Sequence, residues 1–446
     1  MNLPEAFLAR MRMLLREEYK SYLAAMEEQP LRGIRLNTLK CTAETLAASF
    51  PFALQRAPFS PCSYYYPPEA PKVGALPLHH AGAFYSQEPS ASSAVTALNP
   101  QPGDRVLDLC AAPGGKSSQI AACLNGEGLL WSNEIVKNRA AVLLSNLERM
   151  GVRNAVVSSS RPDVLCPQLA GYFDKVLVDA PCSGEGMFRR DPQAIREWSD
   201  EHVRSCAVRQ AAILDSAAEA LRPGGFLAYS TCTFSPEENE QTVSAFLSRH
   251  PDFSLCDTGL PGGRPGFFGM EKARRIFPMD GGEGHFVALL KKAGRSLPVP
   301  ASLPEQAPRQ LLAEAEKVWR SVCCVPFPNR PVAAAGEKLL LLPSDPPSLR
   351  GKGVLRAGIP LCERKGKRWE PCHGLFLAAH PQDLNLCLDF APDDMRLAAF
   401  LRGEEIEGPQ EGRGYCGVSV SGVVLGFGKL SGGRLKNHYP KGLRNH

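Results

Sequence analysis

Between residues 104 and 292, short apolar runs alternate with longer stretches whose apolar positions recur at helical spacing. The runs at 105–109, 128–132, 155–158, 175–179 and 225–231 have strand length and end in small or polar residues. The stretches at 116–124, 137–150 and 201–221 have helical length and separate them. This alternation predicts an α/β fold with a doubly wound, mainly parallel sheet, and a run at 281–290 is expected to add a last strand. Ahead of this segment, residues 5–28 read as an amphipathic helix, 32–38 as a strand, 62–68 as a Pro/Tyr-rich loop and 87–98 as a helix. Together they suggest a small α+β module. After Gly294, Pro298, Pro300, Pro304 and Pro308 mark a linker. Residues 310–323 read as a helix, and a second proline-rich stretch ends near Pro347. Residues 417–429 read as two strands joined at Gly422, so one or two small β-containing modules are expected there.

Two of the central runs end in cysteine-bearing turns. The first continues Asp179-Ala180-Pro181-Cys182-Ser183-Gly184, and the second Ser230-Thr231-Cys232-Thr233. A strand–helix–strand crossover between parallel strands brings both thiols to the carboxyl edge of the sheet, where open α/β sheets bind ligands. Two thiols over one pocket suggest covalent catalysis, because a thiolate is a strong nucleophile. Other cysteines, such as Cys41, Cys123, Cys206, Cys256 and Cys387, read as small packing groups, and His202, His250 and His285 as structural.

Composition narrows the class. A hydrophobic fraction of 44% and a charged fraction of 22% are ordinary for a globular protein, and no apolar run reaches membrane-spanning length. The 15 cysteines are scattered, without Cys-x-x-Cys pairs or zinc-finger spacing, so a reducing cytoplasm and no metal site are expected. The net charge of +5 says little, but its distribution says more. Residues 431–446 hold Arg434, Lys436, Lys441 and Arg444 and no acid, while Arg364, Lys365, Lys367 and Arg368 flank Trp369. Basic groups beside aromatics suit a nucleic-acid backbone.

The run ending at Leu109 passes directly into Cys110-Ala111-Ala112-Pro113-Gly114-Gly115-Lys116-Ser117. Small residues let the backbone approach a ligand, and the following helix start presents free N–H groups. A phosphate-binding loop would need Gly where Cys110 stands, so that match is incomplete. Glu134, at the end of the second run, lies where an acid would grip a ribose diol. Loop and acid together favour a nucleoside cofactor over a triphosphate.

At these residues the chain resembles the Nop/Sun family of S-adenosylmethionine-dependent RNA cytosine-C5 methyltransferases. The resemblance rests on 110–116, on 179–186, on 230–233 followed by Pro236-Glu237-Glu238-Asn239-Glu240, and on 84–88 and 35–38. The tail at 426–429 and 435–444 is similar to the bacterial branch that modifies 16S ribosomal RNA. The resemblance implies a Rossmann-like methyltransferase domain over 96–293, preceded by an RNA-binding α+β module over 1–95. A linker and first C-terminal module over 294–360 and a basic RNA-binding module over 361–446 follow. It implies that Cys110, Ala111, Ala112, Pro113, Gly114, Gly115 and Lys116 bind S-adenosylmethionine, with Glu134 on its ribose. Asp179 would border both ligands and meet the cytosine edge. Cys232 would be the nucleophile, and Cys182 would assist product release. In place of the acid that many members use for the adenine amine stands Ser158-Ser159-Ser160-Arg161-Pro162-Asp163, where Ser160, a backbone group or Asp163 would substitute.

The implied chemistry needs these residues. C5 of cytosine is a poor nucleophile until a thiolate adds to C6. An acid at N3 and the 4-amino group draws electron density as the adduct forms. Lys116 could anchor Asp179 or contact the substrate. The expected partner is 16S ribosomal RNA or the small ribosomal subunit, met by a monomer in the cytoplasm. The alternatives are a tRNA cytosine-C5 methyltransferase, a DNA enzyme using Cys182 as nucleophile, and a non-catalytic ribosome-assembly factor of the same fold.

Overall fold

Adjacent residues of each central run are apolar, so each strand must be covered on both faces. The computed structural model describes residues 2–295 and 306–445; Pro298, Pro300 and Pro304 of the expected linker and His446 of the tail lie outside them. Strands Arg105–Asp108 (β1), Leu129–Asn133 (β2), Ala155–Ser158 (β3), Phe173–Asp179 (β4) and Leu221–Thr231 (β5) are parallel, in the order β3-β2-β1-β4-β5. Helices Gly115–Leu124 (α1) and Lys137–Arg149 (α2) cover one face, and Asp200–Ala220 (α3) covers the other. Alternate strand residues go to opposite layers: Leu107, Trp131 and Val176 pack with Leu214 and Ala217 of α3, while Val106, Leu130 and Leu177 pack with Ile120 and Leu143. Each such fully buried side chain contributes about 1.5–3 kcal/mol. This is a Rossmann-like α/β fold.

The last central run forms His285–Lys292 (β7), antiparallel to β5, after Arg274–Ile276 (β6) at its outer side. The opposite edge holds a strand absent from the sequence reading. Val354–Ala357 (β8), expected in the linker and first C-terminal module, pairs antiparallel with β3. Its Val-Leu-Arg-Ala run is broken by a charge and set among glycines, and it is the exposed edge of β3 that recruits it.

The N-terminal helix is divided into Glu5–Leu15 and Tyr19–Glu27 by a short 3-10 turn at Arg16–Glu18, with Arg16 at φ 48°. Its apolar face buries Phe7, Met11 and Tyr22 against Phe188, Trp198 and Phe234 of the central domain. The Pro/Tyr-rich segment expected as a loop contains a strand, Ser63–Tyr66, paired with Arg32–Leu36. Consecutive tyrosines favour the extended chain, and Pro67-Pro68 only ends it. The helix expected at 87–98 is realised only as Ser93–Leu98, after a strand at Phe84–Ser86 and a 3-10 turn at Pro89–Ser92.

Beyond the central domain, helix Arg309–Val322 packs on a four-stranded sheet made by Val332–Ala335, Lys338–Leu341, Ile359–Lys365 and Arg368–Pro371. A five-stranded sheet follows, centred on the hairpin Gly414–Val420 and Val423–Ser431, whose turn places Ser421 and Gly422 at φ 48° and 77°. Left-handed residues at both positions match the twist of paired strands. This sheet shares a core with the N-terminal module, where Leu78 and Phe84 pack with Phe400, Val418 and Leu425. Among the described residues no helix is long and apolar enough to cross a membrane.

Candidate active site

The carboxyl ends of β1, β2, β4 and β5 open onto a cavity of about 670 Å³. Its lining includes Cys110, Ala112, Glu134, Asp179, Cys182 and Cys232, brought from four separate strand ends.

The loop after β1 is held from three sides. The Ala111 N–H donates to the Asn133 carbonyl at 2.8 Å. Asn146 donates to the Pro113 carbonyl at 2.9 Å, and Arg139 to that of Ala112 at 3.1 Å. Arg35, buried in the N-terminal module, donates to the Gly115 carbonyl at 2.6 Å and to Ser118 Oγ at 2.7 Å. Gly114 sits at φ 109°, and a Cβ there would lie 3.1 Å from Leu143 Cδ1. Glycine therefore suits both the backbone and the space. Cys110 and Ala112 line the cavity, whereas Lys116 reaches across to Asp179.

Glu134 is buried at the end of β2, with Oε1 accepting from the Val136 N–H at 2.9 Å and Oε2 3.6 Å from Arg139 Nη1. It thus steadies the start of α2 while its carboxylate also lines the cavity. Of the groups considered for the adenine end, the Ser160 N–H and carbonyl are both taken by the Asn133 side chain. Asp163 lies on the cavity lining, ion-paired with Arg161 at 2.6 Å.

Register explains how the thiols meet. Asp179 in β4 aligns with Ser230 in β5, so the turns that follow carry Cys182 and Cys232 to the same point. Their sulfurs are 3.2 Å apart. The crossing is tight: a Cβ on Gly186 would lie 2.7 Å from the Gly284 carbonyl and 3.0 Å from that of Cys232. The Cys182 thiol is pushed well above its ordinary pKa, first by its hydrogen bond to Cys232, then by burial and by the neighbouring negative charge. Either thiol of the pair can donate the S–H.

Asp179 is fixed by two donors, Lys116 Nζ at 2.7 Å and Ser230 Oγ at 2.7 Å. Burial works to lower the Lys116 pKa, but the charge and hydrogen bond of Asp179, with the Cys232 sulfur, more than offset it and leave it raised. Lys116 is thus a permanent cation, and it anchors Asp179. Below it, buried Asp108 accepts from Ser117 Oγ at 2.7 Å, while its Oδ1 has no partner. Burial lifts its pKa to about 7.

Two buried acids brace the thiol turns. Glu238 accepts from the Ser183 N–H at 2.9 Å and from Gln210 at 2.8 Å, and burial raises its pKa to about 7. Glu185 accepts from the Phe234 N–H at 2.9 Å, Trp198 at 2.8 Å and Arg10 at 2.7 Å. Asn239 accepts from Thr231 Oγ1 at 2.6 Å and donates to the Thr233 carbonyl at 3.0 Å. The sequence displays these residues inside recognisable motifs, yet their bracing roles, and those of Arg35 and Asn133, depend on partners distant in the chain. Among the residues read as structural, His285 is buried 2.8 Å from Ser90 Oγ, whereas Cys123 is exposed rather than packed.

A nucleoside-sized cavity at the carboxyl edge of a Rossmann-like sheet, with an acid after the second strand, fits an enzyme with a nucleoside cofactor, the class to which S-adenosylmethionine-dependent methyltransferases belong. Residues 95–291 match the family described as 16S rRNA methyltransferase RsmB/F. Residues 3–89 match the N-terminal domain of 16S rRNA methyltransferase RsmF, and 387–445 the methyltransferase RsmF PUA domain. A ribosomal RNA small subunit methyltransferase F of Klebsiella pneumoniae is 35% identical over 99% of this chain and 96% of its own length. Its counterpart in Escherichia fergusonii is 36% identical over the same shares. Among solved structures, a methyltransferase homolog from Pyrococcus horikoshii has a TM-score of 0.59 and 30% identity, covering 65% of this chain and 95% of its own. NSun6 from the same organism, solved with SFG, has a TM-score of 0.59 and 25% identity over 66% of this chain and 99% of its own. The chain belongs to the RsmB/F family of 16S rRNA methyltransferases and is of the RsmF type. Its methyl donor is S-adenosylmethionine.

Proposed function

We propose that this enzyme methylates C5 of a cytosine in 16S ribosomal RNA through a covalent bond between Cys232 and C6. The observation that carries the reading is the 3.2 Å approach of Cys182 and Cys232, beside an Asp179 anchored by Lys116 and Ser230. The relatives named as small-subunit ribosomal RNA methyltransferases support the choice of RNA.

The cavity fits the cofactor. Its volume lies in the ~300–1,000 Å³ range of small-molecule sites, and Ile135, Val136, Pro162 and Ile213 give apolar walls for a flat base. The buried Glu134 carboxylate would accept from a ribose diol, and the small residues 110–115 let the chain approach. When bound, S-adenosylmethionine supplies an electrophilic methyl group.

The chain's own residues do the rest. In this reading the Cys182 S–H is turned toward Cys232, 3.2 Å away, and the Lys116 ammonium adds a nearby positive charge; both favour a thiolate at Cys232. That thiolate adds to C6, forming the S–C6 bond and moving the ring π pair toward C5. Asp179, oriented by two donors, meets N3 and the 4-amino group and stabilises the electron-rich ring, with N3 protonated or its proton shared. Bond formation consumes the Cys232 charge that held the Cys182 proton. Cys182 can then lose its proton to solvent and, as thiolate, remove the C5 proton once C5 carries the methyl group. The C5–C6 double bond reforms, and Cys232 leaves as thiolate. The target base must be unstacked to reach the thiols, which suits a loop or an assembling RNA.

Incubating the protein with S-adenosylmethionine and 16S ribosomal RNA, followed by mapping of 5-methylcytosine, tests this. Methylation at another atom, or of transfer RNA alone, would overturn it.

A further inference from the structure

All 15 cysteines of the chain are free. Among the described residues Cys182 and Cys232 are the one pair whose sulfurs are in hydrogen-bonding contact, at 3.2 Å. A disulfide holds its sulfurs about 2.0 Å apart, so bonding these two asks for an approach of about 1 Å.

The fold imposes their meeting from both sides. Gln210 donates to the Pro181 carbonyl at 3.1 Å and Glu238 accepts from the Ser183 N–H at 2.9 Å, so both chain neighbours of Cys182 are held. Asn239 accepts from Thr231 Oγ1 at 2.6 Å and donates to the Thr233 carbonyl at 3.0 Å, so both neighbours of Cys232 are held as well. The two turns are then tied to each other. Ser183 Oγ lies 2.8 Å from Thr233 Oγ1, and the Gly186 N–H donates to the Cys232 carbonyl at 2.9 Å. Each thiol keeps its rotation about Cα–Cβ, while the backbones that carry them cannot drift apart.

Reactivity singles out the same pair, because thiol oxidation follows thiolate character and exposure. Both side chains line the open cavity, and the Lys116 ammonium is within electrostatic reach of the Cys232 sulfur. Cys110 lines the same cavity, but burial, and then the Asp108, Asp179 and Glu134 carboxylates, hold its thiol well above the ordinary pKa. Cys166, Cys206 and Cys416 are buried. Cys123 and Cys324 are exposed, but neither has a second cysteine sulfur in hydrogen-bonding contact among the described residues.

We propose that Cys182 and Cys232 form a site of reversible oxidation, which takes a hydroperoxide and closes into a disulfide. The Cys232 thiolate attacks the terminal oxygen of the hydroperoxide. An S–O bond forms, the O–O bond breaks, and the departing alkoxide takes up the proton that Cys232 had lost to solvent. Cys232 is oxidised to a sulfenic acid and the hydroperoxide is reduced to an alcohol, or to water when it is hydrogen peroxide. The hydrogen bond to a charged Cys232, and burial, had kept the proton on Cys182; the bond to oxygen removes that charge. The Cys182 sulfur then attacks the Cys232 sulfur. The S–S bond forms, the S–O bond breaks, and hydroxide leaves as water with the Cys182 proton. Capture at 3.2 Å stops Cys232 short of the sulfinic acid, which thiols do not reduce. Closure of the disulfide rests on the geometry alone. That it switches methylation off rests on the proposed function, in which both thiols act on the base.

Peptide mass spectrometry of the full chain tests it, after treatment with hydrogen peroxide and alkylation of the remaining thiols. A linked pair of peptides carrying Cys182 and Cys232 is expected, and dithiothreitol is expected to separate it. In Cys182→Ser, Cys232 is expected to proceed to a sulfinic acid that dithiothreitol does not reverse. Methylation of 16S ribosomal RNA by the wild type is expected to fall by about tenfold or more on oxidation and to return with dithiothreitol. Cys232 carried to sulfinic acid in the wild type without a linked pair would overturn the proposal. So would Cys232 remaining a thiol while Cys123 and Cys324 are oxidised, or dithiothreitol recovering Cys232 as fully in Cys182→Ser as in the wild type. A linked pair in an enzyme that still methylates would overturn the role of the thiols in the proposed function and leave the oxidation site standing.

Discussion

The Cys182 and Cys232 sulfurs lie 3.2 Å apart although 50 residues separate them along the chain. The distance makes them one chemical unit, in which the hydrogen bond and burial push the Cys182 thiol up, and the proposed reaction gives the two thiols different roles. Their variants should therefore fail differently. Cys232→Ala is expected to abolish both methylation and covalent capture of RNA. Cys182→Ala is expected to form the adduct and release it poorly, leaving a slow-migrating protein–RNA band on a denaturing gel. A band for Cys232→Ala and none for Cys182→Ala would assign the nucleophile to Cys182 instead.

Glu134 offers its carboxylate to the cavity while one oxygen holds the Val136 N–H. Glu134→Ala should weaken S-adenosylmethionine binding by roughly tenfold to a hundredfold, the worth of a hydrogen bond to a charged group. The fold should survive, because the sheet does not depend on this contact. Calorimetry with an unchanged dissociation constant would remove Glu134 from the cofactor site.

Asp108 links pH to stability. Its pKa rises in the folded chain to about 7, from a usual value of 3.8, chiefly through burial. Between these values the folded state keeps a proton that the unfolded state has lost, so stability falls as pH rises through this window. The contribution is on the order of a few kcal/mol. Asp108→Asn imitates the protonated acid and should flatten the decline. Thermal unfolding at pH 5 and pH 8 is the measurement; an identical difference in wild type and variant would show that Asp108 is not the group responsible.

Removal of the chain beyond residue 298 would strip β8 from the edge of β3 and the Arg330 guanidinium from the Arg153 carbonyl, which it meets at 2.8 Å. Such a truncation is expected to lose stability and aggregate through the bared strand edge. The RNA contribution of the tail is better read from Lys429→Ala with Lys436→Ala. That pair should lower RNA affinity and flatten its salt dependence by about two units of slope at most. A salt slope equal to wild type would make these lysines mere solvated surface.

The sequence by itself determined the central domain almost strand by strand. Apolar runs such as 155–158 and helices such as 201–221 carry their period locally, and the structure places Ala155–Ser158 and Asp200–Ala220 there. It also exposed the two cysteine turns, the loop at 110–116 and Glu134, because small residues and thiols at strand ends are unusual choices with local chemical cause. The four-residue β8, the strand hidden among Tyr64–Tyr66 and the antiparallel direction of β7 were decided by sheet edges that recruited them. Lys116 had two possible roles until the fold set its Nζ 2.7 Å from Asp179. Arg35, Glu185 and Glu238 stand inside motifs of the chain and Asn133 stands beside Glu134, but their partners cannot be read from it. Their function lies in satisfying buried donors and carbonyls brought from far away, and only the tertiary structure, where an unpaired polar group costs stability, decides which groups those are.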